Sequence, residues 1–178
     1  MDSLVTTRLA SLADAEAIRA IYNHEVATST ASFDLVERTA EQQVAWLQER
    51  TGAFSVLVAE VDNCLVGFAS LSPYKERAAY RSTVENSVYV ANDQRGRGVA
   101  FRLLRELLAV AEQSGFHVVV ARIGGGNAAS IALHEKCGFV SVGVEREVGR
   151  KFGRWHDVVV MQNLLPAQSY SPTWPENS

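Results

Sequence analysis

The sequence predicts an α/β chain built on a mixed sheet, and two stretches carry that prediction. Residues 54–61 and 64–71 are β-rich runs joined by Asp62-Asn63, a pair suited to a tight hairpin and so to antiparallel pairing. Residues 84–90 form a strand that meets the turn Arg95-Gly96-Arg97-Gly98. Beyond it Ala100, Leu103, Leu104, Leu107, Leu108 and Ala111 recur at helical spacing, and an apolar run over 118–123 follows. Strand, helix and strand make a crossover, which joins parallel neighbours.

The remaining elements follow in order. Residues 5–9 read as a first strand. Ser11 with Asp14 resembles a capping box for a helix to about residue 27, and Thr39 with Gln42 repeats the pattern for a second helix to about residue 50, with Val44 and Leu47 on one face. Gly115 ends the crossover helix. The run 118–123 is continuous enough to expect burial on both faces. After Gly124-Gly125-Gly126-Asn127 a short helix runs to about residue 136 and stops at Gly138, and strands over 139–148 and 157–164 close the pattern. We expect one domain over 1–165 and a loosely held tail over 166–178, where Pro166, Pro172 and Pro175 lie among Ser, Gln and Asn.

Composition narrows the partners. With 47% apolar residues in 178, the chain can bury a sizeable core. A net charge of -3 with mixed signs lacks the clustered cations that nucleic acid demands, so the partner is a small molecule and not nucleic acid. No apolar run approaches the ~20 residues of a membrane span, and MDSLVTTRLA lacks the order of a signal peptide, so a cytoplasmic protein without a membrane partner is expected. Cys64 and Cys137 form no ligand cluster, which argues against a metal site and leaves both as small core residues.

The glycine turn carries the chemistry. Gly96 and Gly98 allow close backbone approach, and the helix that follows offers N–H groups without intrahelical partners, beside Arg95 and Arg97. The combination suits a phosphate. A GxxxxGK[ST] loop is absent, and the third glycine of a dinucleotide fingerprint is replaced by Phe101. Taken alone, the hexamer Arg95-Gly96-Arg97-Gly98-Val99-Ala100 reads equally as a strand-to-helix turn with solvated arginines.

The hexamer resembles the Gln/Arg-x-x-Gly-x-Gly/Ala loop of the GNAT superfamily of acyl-CoA-dependent N-acetyltransferases. Asn127, Ser130, Leu133, His134, Glu135, Gly138 and Phe139 keep that family's spacing. With IYNHEV, TASFD, AYRSTVENSVYV and GRWHDVVVMQ, the chain is similar to the phosphinothricin and methionine sulfoximine acetyltransferase branch nearly throughout residues 1–165. The resemblance implies a mixed sheet flanked by helices, in which the central strand bulges and splays from its parallel neighbour to admit the pantetheine arm of acetyl-CoA as a pseudo-strand. It also implies a homodimer.

The resemblance implies roles for single residues. Glu85 matches the family's proposed general base, needed because an α-ammonium is mostly charged at neutral pH. His134 stands where many relatives carry a tyrosine that protonates the leaving thiolate, and an imidazole can do so near neutrality, although a packed histidine fits the position as well. Val88, Tyr89 and Val90 line the arm on the central strand, with a backbone N–H near Val90 meeting the oxyanion; Tyr89 reads equally as a sheet aromatic. Asn127 and Ser130 hold the pantetheine, and Arg95 to Ala100 the phosphates.

For the acceptor, Lys75, Arg77 and Tyr80 match a basic substrate-side segment, with Lys75 standing where relatives more often have arginine. Phe33 and His156 are further matches, though by their own patterns they read as core and strand end. The function implied is transfer of an acetyl group from acetyl-CoA, used as co-substrate without a metal, to the α-amine of a small amino-acid analogue. Alternatives are a protein N-terminus, polyamine or aminoglycoside as acceptor, or an acyl-CoA-binding sensor without turnover.

Overall fold

A computed structural model of the protein describes residues 4–166. Seven strands form one sheet in the order β1-β2-β3-β4-β5-β7-β6. The strands are β1 (Thr6–Leu9), β2 (Leu57–Val61), β3 (Cys64–Pro73), β4 (Thr83–Val90), β5 (Val118–Gly124), β6 (Val140–Lys151) and β7 (Arg154–Leu164). The helices are α1 (Ala15–Thr28), α2 (Ala40–Gln48), α3 (Val99–Gln113) and α4 (Ala128–Lys136). Pairing is antiparallel except between β4 and β5. The mixed sheet is thus present, with the hairpin and the crossover where the sequence puts them. The expected tail, apart from Pro166, lies outside the described residues.

Local chemistry explains the element ends. The Ser11 N–H donates to Asp14 Oδ2 over 2.7 Å, and Thr39 and Gln42 bond each other's backbone N–H groups, so both predicted caps form. Asp62 and Asn63 adopt φ of 50° and 63°, the left-handed pair that a type I′ hairpin turn requires. Residues 52–54 form a 3₁₀ turn, so β2 starts at Leu57 and not at residue 54. Cys64 is exposed at the first position of β3, beside the Asp62-Asn63 turn; the expectation of a core cysteine fails there.

Two apolar layers cover the sheet. On one face Val99, Leu103, Leu104, Leu107 and Ala111 of α3 pack against Leu71, Val84, Val119, Ala121 and Met161. On the other, Ile18, Tyr22 and Val26 of α1 and Leu47 of α2 pack against Val58 and Phe68. Strand alternation therefore sends Val84, Asn86, Val88 and Val90 toward α3, and Glu85, Ser87 and Tyr89 toward α1.

One pairing fails midway. β4 and β5 are in register only at Thr83↔Val118, Val84↔Val119 and Glu85↔Val120, although both strands continue. Beyond Glu85 the strands splay. β4 meanwhile pairs with β3 without a register shift from Val84 to Val90, so the splay arises without the bulge that the family resemblance implies. A shift lies instead in β6, where residues 146–148 face the single β7 residue Asp157 between the pairs Glu145↔Val158 and Gly149↔His156.

Candidate active site

The splay opens a cleft of about 320 Å³. Its walls come from residues 85–89 of β4 and 121–124 of β5, with Asn127, Ser130 and His134 on the α4 side. Thr30, Ala31, Ser32, Phe33, Val148 and Val158 close the other side. Among the described residues the β5-facing backbone of Asn86–Val90 has no ladder partner, so a linear ligand carrying amides could pair with it.

Beyond the open end of β4 lies the glycine turn. Gly96 and Gly98 adopt φ of 76° and 80°, which L side chains rarely adopt, and a Cβ on either would meet nothing within 4 Å. The first α3 amide to find a helical acceptor is that of Arg102, which donates to Gly98 O over 3.0 Å. The N–H groups of Val99, Ala100 and Phe101 precede it and lack an intrahelical partner. The turn thus offers the donors a phosphate needs. Val99 contributes only backbone, because its side chain is buried under α3. Of the two arginines, Arg97 donates to Gln94 Oε1 over 2.8 Å, whereas Arg95 pairs with the buried Glu25 of α1.

Glu85 stands at the vertex of the splay, on the α1 face. Burial pushes its pKa up, and nearby Glu145 adds to the rise, while Arg122 opposes it. A carboxylate with a raised pKa is a better proton acceptor than an exposed one.

His134 is buried on the opposite face, and burial lowers its pKa. Its Nδ1 lies 2.7 Å from Ser130 O, a pure acceptor, so Nδ1 carries the proton. In the neutral ring Nε2 must then accept, and the Asn86 amide donates to it over 3.0 Å. Both ring nitrogens are taken up by the protein. Handing a proton to sulfur would require a doubly protonated ring, which burial disfavours, so the arrangement speaks against the thiolate-protonating role that the resemblance suggests.

Other candidates divide. Asn127 Oδ1 accepts from Ser130 N–H over 3.1 Å and caps α4, which leaves its Nδ2 without a partner among the described residues. Tyr89 lines the cleft but also stacks at 5.1 Å on Phe68 and meets Tyr22 edge-on at 5.3 Å; burial raises its pKa. Val90 is buried in the α3 layer and pairs with Gly67. Phe33 lines the cleft, and His156 sits behind it with ring centroids 6.2 Å apart, donating from Nε2 to Lys151 O. Lys75, Arg77 and Tyr80 are absent from the lining. Lys75 lies instead 4.8 Å from the ring of Tyr74 and 5.2 Å from that of Tyr80.

Besides Asn86, several contributors escaped the sequence reading. Arg122 lines the cleft from β5, a strand expected to be buried on both faces. Gly124 and Gly149 make room for Phe33: a Cβ on Gly124 would come within 2.7 Å of Phe33 Cε1, and one on Gly149 would overlap the ring. Val148 reaches the cleft through the β6 irregularity. A lone charge inside the apolar run 118–123 was the available signal for Arg122.

Comparison with known proteins agrees with this geometry. Residues 18–139 match the Acetyltransferase (GNAT) family. A phosphinothricin N-acetyltransferase of Alcaligenes faecalis is 44% identical over 91% of this chain and 83% of its own length. An L-methionine sulfoximine/L-methionine sulfone acetyltransferase of Pseudomonas paraeruginosa is 42% identical over 91% of this chain and 96% of its own. The structure of yncA from Salmonella typhimurium, solved with its cofactor acetyl-CoA, superposes with a TM-score of 0.90 at 37% identity, covering 96% of this chain and 99% of that one. Among the described residues, no group of three or more His, Cys, Asp or Glu could hold a metal ion, and no helix is long and apolar enough to cross a membrane.

Proposed function

We propose that this chain, which belongs to the GNAT family of acetyltransferases, uses acetyl-CoA to acetylate the α-amine of a small amino-acid analogue of the phosphinothricin, methionine sulfoximine or methionine sulfone type. The observation that carries the reading is a cleft between two splayed parallel strands with a carboxylate, Glu85, at its vertex. The names of the relatives support the acceptor class.

In this reading the Arg95–Ala100 turn holds the phosphates through the orphan N–H groups of α3. The free edge of β4 pairs with the pantetheine amides, and Asn127 Nδ2 donates to one of their carbonyls. Glu85 takes a proton from the acceptor's ammonium, and the nitrogen lone pair then attacks the thioester carbonyl carbon. A backbone N–H of β4 near Val90 stabilises the oxyanion. The C–S bond breaks as the C–N bond forms. Of the two protons the nitrogen loses, one passes through Glu85 to water and one ends on sulfur, giving the amide and CoA thiol. Asn86 and His134 hold the cofactor-side wall.

A cytoplasmic homodimer belongs to the same reading. Among the described residues the edge strand β6 has an open outer side, and it exposes Val140, Val142 and Val144 at 59%, 58% and 45%. Light scattering that returns a monomer would remove the dimer from the proposal.

An amine panel with acetyl-CoA, followed by thiol release, tests the function. The three analogues are expected to turn over better than a peptide N-terminus, a polyamine or an aminoglycoside. Robust acetylation of the peptide with none of the analogues would transfer the proposal to a protein acceptor. Acetyl-CoA binding with no thiol release for any amine in the panel would leave a sensor.

A further inference from the structure

A zwitterionic amino acid carries its ammonium and its carboxylate on one carbon, so a site that accepts the first must also provide for the second. Among the described residues lining the cleft, Glu85 is the one carboxylate and Arg122 the one permanent cation. They share a sheet face. Glu85 pairs with Val120 on the last rung before the splay, and Arg122 follows Val120 by two residues, the same-face period of a strand. Glu85 is one strand spacing, roughly 4.8 Å, from Val120, and Arg122 is two rises, roughly 6.6 Å, further along β5, which puts their backbones on the order of 8 Å apart, close enough for long side chains to serve one small ligand.

The guanidinium is presented rather than consumed. Its Nη1 donates to Glu145 Oε1 over 3.0 Å and its Nη2 donates to Glu145 Oε2. That end-on pair uses two N–H groups and leaves Nε–H and one on each Nη without a partner among the described residues. A second carboxylate can dock against the side edge, while Glu145 fixes the orientation of the fork. The side chains of Arg122 and Glu145 are 34% and 40% exposed, so their pairing contributes little to stability and a substitution there leaves the fold standing. The other basic residues near the acceptor side serve less well. Lys75 and Arg77 are not in the lining, and Lys151 is buried with Nζ donating to Ser32 O over 2.6 Å.

From this geometry we infer that Arg122 reads the α-carboxylate of the acceptor and thereby sets its ammonium beside Glu85. Arg122 is then a specificity-determining residue, and the inference rests on the amino-acid acceptor proposed above.

The experiment compares methionine sulfone with 3-(methylsulfonyl)propylamine, the same acceptor without its carboxylate, in wild type, Arg122→Leu and Arg122→Lys. For methionine sulfone, Arg122→Leu is expected to raise KM about tenfold or more, the scale of a lost charge-assisted contact, with Arg122→Lys between it and wild type. KM for acetyl-CoA should stay near wild type in both variants. For the amine without a carboxylate, kcat/KM should differ far less between wild type and Arg122→Leu. An unchanged KM for methionine sulfone in Arg122→Leu overturns the inference, as does an equal loss on both acceptors, which would mean a general distortion of the cleft. Failure of the wild type to acetylate methionine sulfone, phosphinothricin or methionine sulfoximine is a different result: it overturns the proposed acceptor class, and the inference falls with it.

Discussion

The two sides of the splay are built from different materials. The donor side is mostly backbone: the orphan N–H groups at the start of α3, the unpaired edge of β4 and the cap of α4, all within residues 86–130. The acceptor side is mostly side chains, and they come from five separated segments: 30–33, Glu85, Arg122, Val148 and Val158. Backbone donors suit a ligand that never changes, because their geometry comes with the fold. Side chains can be exchanged one at a time, which is how one scaffold serves many acceptors.

The sharpest way to break this division is to remove the one group that both sides need. Glu85→Gln should lower turnover by ~10²–10⁴-fold and leave acetyl-CoA affinity near wild type. Its pKa is raised by burial, so in wild type the active, deprotonated form gains population as pH climbs above the ordinary carboxylate range. The defect should narrow at high pH, where the amine loses its proton unaided. A defect as large at pH 9.5 as at pH 7 would leave Glu85 with no role as a base.

A crossed pair of glycine substitutions gives a smaller but cleaner separation. Gly98→Asp sets a carboxylate where phosphate is expected and should abolish the thermal stabilisation by acetyl-CoA. Gly149→Ala drives a methyl into Phe33 at a cost of about 1–3 kcal/mol and should raise the acceptor KM alone, with Phe33→Leu relieving it. If both variants disturb both ligands equally, the two sides are not separate.

The smallest effect concerns His134. Burial lowers its pKa, so the unfolded chain takes up the proton first, and folding stability should decline as pH falls below about 6.5. His134→Gln should flatten that part of the curve in a pH series of thermal melts. An unchanged slope would mean that the ring is not held neutral.

The same division governs what could be read from residues alone. The glycine turn, Asn127 and the helix caps were legible because each is a short string whose chemistry is complete within a few residues. Glu85 was singled out through the family resemblance, and the last rung of the β4–β5 ladder puts it in the cleft wall. Arg122 was hidden by the apolar run around it, and only the early end of β4–β5 pairing exposes it. Val148 and Gly149 depend on the irregular pairing of β6 with β7, where Glu147 takes φ of 52° without any local motif to announce it. Lys75 and Arg77 came from the family resemblance, and they lie outside the cleft lining. His134 was found, but its partner Asn86 was not, and the partner decides which nitrogen carries the proton.

The unshifted ladder between β3 and β4 has a dynamic consequence. β4 is held along one edge as a normal strand and bare along the other from Asn86 onward. Its amides should therefore exchange with deuterium in two populations, slow for those bonded to β3 and fast for those facing the gap. A ligand arm lying in the gap would slow the second population and leave the first untouched, so that alternate residues of a single strand would record its arrival.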